Sequence, residues 1–315
     1  MSSRPRPRRV RSTLGAVLVA LVVASCGGSD GDDKQAQPAA SAADAVKLVR
    51  EASGPNRAAR QGRIDGRVEI ALEGVPAFAE PFSASISGPF RYRKGASLPD
   101  YELEMGVGDN GVAMTSLGGE WWVSLGSTGF KAPDAIRRRL VRLSARGDNG
   151  LTRTLEQFGV APWRWETNQR IAGRTQIDGV EVVHVTTGFT TGRILKDANT
   201  LLRLLSSLGL TRATGLPDVI PRDARRIIAR SVTLKKGASW IGVKDKVLRR
   251  SAFTMKFAVA ERDRAKVGGI SRGTVRGELN VSEVGRPQRM GKPATVGSFS
   301  DFQLGVDAVG DAQGR

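Results

Sequence analysis

The chain has 315 residues, of which 40% are apolar, 25% charged and 5% aromatic, with 49 Lys and Arg against 31 Asp and Glu. That balance describes a core-forming chain rather than a multi-span membrane protein or a disordered one. One cysteine and one histidine exclude an internal disulfide framework and a Cys/His zinc centre, and the net charge of +18 demands an explanation.

Part of that charge lies at the start. Arg4, Arg6, Arg8, Arg9 and Arg11 come with no acid, then Leu14 to Ala24 run apolar, then Val23-Ala24-Ser25-Cys26. A basic start, a short apolar run and small residues describe an export signal over residues 1–25. The run is too short for a ~30 Å hydrocarbon core, which takes about 20 residues. Apolar, small, small, Cys has the form of a bacterial lipobox. Cys26 is therefore the expected lipid anchor, acylated on sulfur, with palmitate as one acyl group and the outer face of the cell membrane as the location. Loss of residues 1–25 removes five arginines and no acid, leaving 44 basic and 31 acidic residues and a net charge of +13. The surplus belongs to the mature chain.

Residues 26–40 carry the expected anchor and a Gly/Asp-rich stretch without periodicity, which reads as a tether. Ser41 to Ala52 predicts a short helix, with Ala45, Val46, Leu48 and Val49 on one face. Ile64, Val68, Ile70 and Leu72 then alternate with Arg63, Asp65, Arg67 and Glu69. Phe82–Phe90 and Tyr101–Val107 repeat the pattern, and 112–117 with 121–125 predict a hairpin across Gly118-Gly119. Period two with one polar parity predicts antiparallel strands with one wet face. Pro133-Asp134 opens a helical stretch, with Ile136, Leu140 and Leu143 at helical spacing, and 151–160 continues as a second helix. Strands are expected at 169–175 and 180–187. A helix with a broad apolar face follows, from Ile194 to Leu208, and Gly209 is its stop. Residues 217–229 read as helix or loop; 231–234, 239–243, 248–259 and 273–282 read as strands, and 286–315 as an irregular tail. The expected fold class is α+β: a large antiparallel sheet with helices on one face, as one domain over 41–285.

Two segments carry a resemblance. Ile177-Asp178-Gly179-Val180-Glu181-Val182-Val183-His184-Val185 leads into the long helix, and Trp240-Ile241-Gly242-Val243-Lys244-Asp245-Lys246-Val247-Leu248-Arg249-Arg250 forms a strand, turn and strand. With Cys26, they resemble actinobacterial lipoproteins of the LppX/LprG type, which share a half-barrel with the LolA and LolB lipoprotein carriers. The resemblance implies a curved antiparallel sheet with helices over its concave face, and an apolar cavity for acyl chains of a lipid or glycolipid. It implies no catalytic residues and no cofactor, so the chain is not expected to be an enzyme.

The residues expected to line that cavity are Leu72, Ile86, Leu103, Met105, Phe253, Met255 and Phe257 from the apolar strand parity, and Leu201, Leu205 and Leu208 from the long helix. They would enclose a void of a few hundred Å³. Arg138, Arg142 and Arg146, with Arg225 and Arg226, are the candidates for contact with an anionic membrane surface. The chain is expected to act as a monomer without nucleic acid. The alternative is a non-enzymatic envelope module that binds a protein or an anionic polymer through its basic surface. Gly106-Val107-Gly108-Asp109-Asn110-Gly111 matches a dinucleotide fingerprint, but it precedes a strand-like segment and reads as hairpin turn chemistry. His184 reads as a packed strand residue, and Glu102 and Glu104 as surface charge.

Overall fold

The structure is a computed structural model that describes residues 42–75, 80–107, 110–213 and 216–313. Cys26, the export signal and the tether lie outside the described residues.

The first helix, α1 (Ala42–Ser53), turns Ala45, Leu48, Val49 and Ala52 inward. Six strands follow: β1 (Gln61–Glu73), β2 (Phe82–Arg91), β3 (Asp100–Val107), β4 (Asn110–Leu117), β5 (Glu120–Leu125) and β6 (Thr128–Lys131). Each pairs antiparallel with the one before it. The chain then crosses over through α2 (Asp134–Ser144), α3 (Gly150–Glu156) and a 3₁₀ turn at Pro162–Arg164. A second meander begins with β7 (Glu166–Ile177) and β8 (Val180–Phe189). It is broken by α4 (Thr191–Ser207), α5 (Leu210–Ala213) and α6 (Arg222–Arg230). It resumes with β9 (Val232–Gly242), β10 (Leu248–Ala258), a short α7 (Glu261–Arg264) and β11 (Arg272–Ser282).

Among the described residues, twelve strands form one open sheet in the order β12-β6-β5-β4-β3-β2-β1-β11-β10-β9-β8-β7. The first and last long strands, β1 and β11, pair antiparallel at the centre, so each meander runs out to its own edge. This is an α+β half-barrel with helices over the concave face. Alternation does the sorting. In β1, Ile64, Val68, Ile70 and Leu72 are buried beneath the helices, and Arg63, Asp65, Arg67 and Glu69 take the other face. Register sets the packing: Leu72 lies opposite Gly273 of β11, and Phe257 of β10 lies on the other side of the same glycine. A Cβ on Gly273 would come within 2.1 Å of the Phe257 ring, so the missing side chain is what lets that ring lie over the strand.

The helices divide the concave face. α1 lies against β7 and β9, and α3 lies over β1 and β2. Tyr101 of β3 ties the α3 region to the sheet by donating to Gln157 Oε1 at 3.0 Å, and it accepts from the Trp121 indole. α4 leaves the end of β8 and ends at Gly209, with φ +78°, where the sequence places its stop. Its 17 residues cross toward the other edge, because α5, which follows it, packs on the C-terminal helix beside β6.

The C-terminus departs from expectation. Residues 286–315 were read as an irregular tail, on their prolines and glycines. Instead they cross the outer face of β3 to β5, where Glu102 accepts from the Gly291 amide and Lys292 pairs with Glu120 at 2.6 Å beside the Trp122 ring. They then add β12 (Thr295–Gly297), the one parallel strand, to β6. The final helix, α8 (Phe299–Gln313), buries Phe302 and Val306, and Phe302 meets Phe130 of β6 at 5.6 Å. The folded unit therefore extends well past residue 285.

Candidate functional site

The concave face and α4 meet in one apolar layer. Leu72, Ile86, Leu103 and Met105 from β1 to β3 belong to it, as do Phe253, Met255 and Phe257 from β10, and Leu201, Leu205 and Leu208 from α4. All ten are buried in one continuous cluster. Ile86 stands directly across from Met105, and Phe253 takes the edges of Phe189 at 5.5 Å and Trp165 at 6.2 Å. The sequence reading placed these residues on one side of the fold, and the structure brings them together, packed side chain on side chain. The apolar void beside them, walled by Val49, Leu151, Trp163, Ile241 and Leu248, measures about 20 Å³. That is room for a single water, against the few hundred Å³ expected of an open cavity. The difference has a local cause: α1 and α3 press their apolar faces onto the strands.

The same void has a polar wall. Ser239 of β9 donates to the Glu166 carboxylate at 2.5 Å, and Ser251 lines it as well. Burial pushes the Glu166 carboxyl up to about 7, against hydrogen bonds from Ser239 and Gln169 that favour its ionised form. Sequence reasoning did not single out Glu166.

A second recess of about 350 Å³ lies where the solvent side of α4 meets the 3₁₀ turn. Asp197 of α4 accepts from the Trp165 indole at 2.8 Å and from the Ala161 amide at 3.1 Å, which pins the helix to that turn. Burial raises the Asp197 carboxyl against both bonds. Burial also pushes Glu156 up to about 7, although Arg164 stands 2.7 Å away and favours its charge. Arg146, Arg164, Arg193 and Lys196 ring the opening.

The two arginine clusters have different fates. Arg138 and Arg142 are exposed on α2 and Arg146 just past its end, whereas Arg139 reaches the Thr200 and Arg203 carbonyls of α4 and acts as a brace. On α6, Arg226 pairs with Asp223 at 2.9 Å, Arg230 pairs with Asp263 at 2.6 Å, and Arg225 is half-buried. The free charge of the first cluster thus exceeds that of the second. His184 stacks flat on Trp240 at 4.7 Å, and burial lowers its imidazole pKa, in keeping with a packed strand residue. Gly106 pairs with Gly111 and Val107 with Asn110, so the glycine motif closes the β3–β4 hairpin; its Gly108 and Asp109 lie outside the described residues. Among the described residues, no group of three or more His, Cys, Asp or Glu side chains could hold a metal ion. No helix among them is long and apolar enough to cross a membrane.

No family model and no curated protein matches the chain. Among solved structures it is similar to LprF from Mycobacterium bovis, at 14% identity over 82% of this chain and 100% of that one, with a TM-score of 0.40. It is also similar to the lipoprotein LppX from Mycobacterium tuberculosis, at 13% identity over 80% and 100%, with a TM-score of 0.37. A LolA superfamily protein from Nitrosomonas europaea matches at 10% identity over 76% and 94%, with a TM-score of 0.20. These fall in the groups that the sequence motifs resemble; at such identities they say nothing of what this chain binds.

Proposed function

We propose that the chain is a non-enzymatic extracytoplasmic lipoprotein, anchored through Cys26 to the outer face of the membrane as a monomer. It takes acyl chains of a lipid or glycolipid between the concave sheet face and α4. The observation that carries this reading is the continuous apolar layer between an open sheet and a helix laid across it. Leu201, Leu205 and Leu208 place α4 in that layer, and lifting it breaks no strand-to-strand hydrogen bond; what it must release are the bonds from Asp197 to Trp165 and Ala161 and those from Arg139 to the Thr200 and Arg203 carbonyls. An acyl chain then replaces one set of apolar contacts by another. Each buried CH₂ contributes about 0.8 kcal/mol, so one long chain supplies the affinity without a dedicated polar contact. Opening by movement of a packed helix is a standard route to such a site.

Native mass spectrometry of the full chain, purified from a bacterial host in mild detergent, tests this. Wild-type protein should carry adducts of lipid mass, and Leu201→Trp with Leu205→Trp, which fill the layer, should carry few. Wild-type protein free of lipid after incubation with a diacyl lipid extract, or variants that load as well as wild type, would overturn the reading.

A further inference from the structure

A further concentration of positive charge lies away from both arginine clusters singled out in the sequence. At the end of the sheet where β1 begins and β2 finishes, a recess of about 450 Å³ is lined by Arg57, Arg60, Arg91, Arg93 and Lys94 around Tyr92. One carboxylate answers these five cations. Asp100, buried, takes Arg91 at 2.9 Å and Arg93 at 3.1 Å, and also accepts from the Gly118 amide. Arg57, Arg60 and Lys94 have no acidic partner among the described residues. Arg153 of α3 adds a sixth cation, its guanidinium 4.6 Å over the Tyr92 ring.

The recess is built rather than a chance gathering of surface side chains. The Tyr92 amide donates to the Arg60 carbonyl at 2.7 Å, which locks the chain after β2 to the turn before β1. Gln61 donates from its side chain to the Gly285 carbonyl at 2.7 Å, which closes the third side. Asp100 fixes two of the guanidinium groups, so their forks are ordered before any ligand arrives. The charge left after Asp100 is well above what one carboxylate or phosphodiester would neutralise. A planar guanidinium meets phosphoryl oxygens in pairs, and several such forks converging on one recess suit a phosphomonoester or a diphosphate.

We propose that this recess is a binding site for a multiply charged phosphoryl group, either on a lipid headgroup or free in solution. The site stands apart from the apolar layer and does not depend on the acyl-chain reading.

Titration calorimetry of the full-length Cys26→Ala chain with sodium pyrophosphate, and its co-sedimentation with phosphatidic acid or phosphatidylcholine vesicles, tests it. The variant is Arg57→Ala/Arg60→Ala/Lys94→Ala, three exposed positions without ion pairs, so the fold should survive; circular dichroism checks that. The control is Lys235→Ala/Lys236→Ala/Lys256→Ala, three exposed lysines on β9 and β10 outside both the recess and the α2 cluster, which removes the same charge elsewhere. Saturable 1:1 binding of pyrophosphate, weakened at least tenfold by the recess variant and less than twofold by the control, supports the site with a free ligand as source. Binding to phosphatidic acid vesicles only, with the same pattern of variants, supports it with a lipid headgroup. Equal losses in both variants would reduce the effect to net charge and overturn the proposal. Binding of neither probe, or binding that the recess variant leaves intact, would overturn it too.

Discussion

Glu166 shows how a single buried carboxyl sets a pH response. Its pKa is pushed up to about 7 by burial, from an unfolded value near 4.3. Between those two pH values the folded chain holds a proton that the unfolded chain has released. Stability therefore falls as pH rises through this window, levels off above about 7, and is greatest below about 4.3 as far as this group is concerned. Glu156, also at about 7, acts in the same direction. Glu166→Gln keeps the bond to Ser239 and removes one titration. In urea unfolding at pH 5 and pH 8, wild type should lose stability between the two, and the variant should lose less, by up to about 3 kcal/mol. An identical loss in both proteins would mean that Glu166 stays ionised in the fold. Nothing in the sequence separates Glu166 from Glu102 or Glu104, which read as surface charge. Its burial comes from α1 packing on β7 and from the serine two strands away, and both are tertiary facts.

At the level of elements, the C-terminal helix was missed although its signals are present. Ser298 accepts from the Asp301 amide and Asp301 accepts from the Ser298 amide, a reciprocal cap that Ser-x-x-Asp announces. Phe299, Phe302 and Val306 then follow at helical spacing. Gly305 and Gly310 and the prolines upstream obscured that pattern, since glycine in a helix interior costs about 1 kcal/mol and reads as loop. Tertiary contact overrides the propensity: Phe302 is fully buried against Phe130 and Phe299. Phe302→Ala should destabilise the chain by about 3–5 kcal/mol, the range for a buried phenylalanine. Leu304→Ala, two residues on and therefore on the opposite side of the helix, 69% exposed, should change stability by no more than about 0.5 kcal/mol. Chemical denaturation of the two variants compares them directly. Similar values would mean that α8 does not dock on β6 in solution. The strands, by contrast, were legible almost throughout, because alternation with one charged parity is a local signal. The short β6 was not, since Thr128–Lys131 has too few residues to alternate.

For the whole molecule, local patterns announce two meanders but not their junction. The pairing of β1 with β11 joins residues some two hundred positions apart, and no single segment signals it. The same limit applies to the arginines. Spacing along α2 and α6 marked them as clusters; Asp223 meets Arg226 one turn away on the same helix, but the pairing of Arg230 with Asp263 depends on the fold. Of the two clusters, the one at α2 is left the more exposed. On the proposed anchoring, the acyl chain holds the membrane by burial and the arginines hold it by charge. Charge acts across a Debye length of roughly 10 Å at 0.1 M salt, and burial is not screened in this way. The acyl anchor and the arginines should therefore act as separable contributions, the first insensitive to salt and the second dependent on it. Cys26→Ala should move the protein from the membrane fraction to the soluble one and abolish palmitate labelling. In that background, binding to anionic vesicles at 0.1 M salt should persist weakly, and Arg138→Glu/Arg142→Glu/Arg146→Glu should lower it severalfold. At 1 M salt, where screening cuts the range to about 3 Å, the two proteins should bind alike and little. Unchanged membrane partitioning of Cys26→Ala would refute the anchor. Vesicle binding that ignores salt and the three reversals would leave those arginines as ordinary solvated charge.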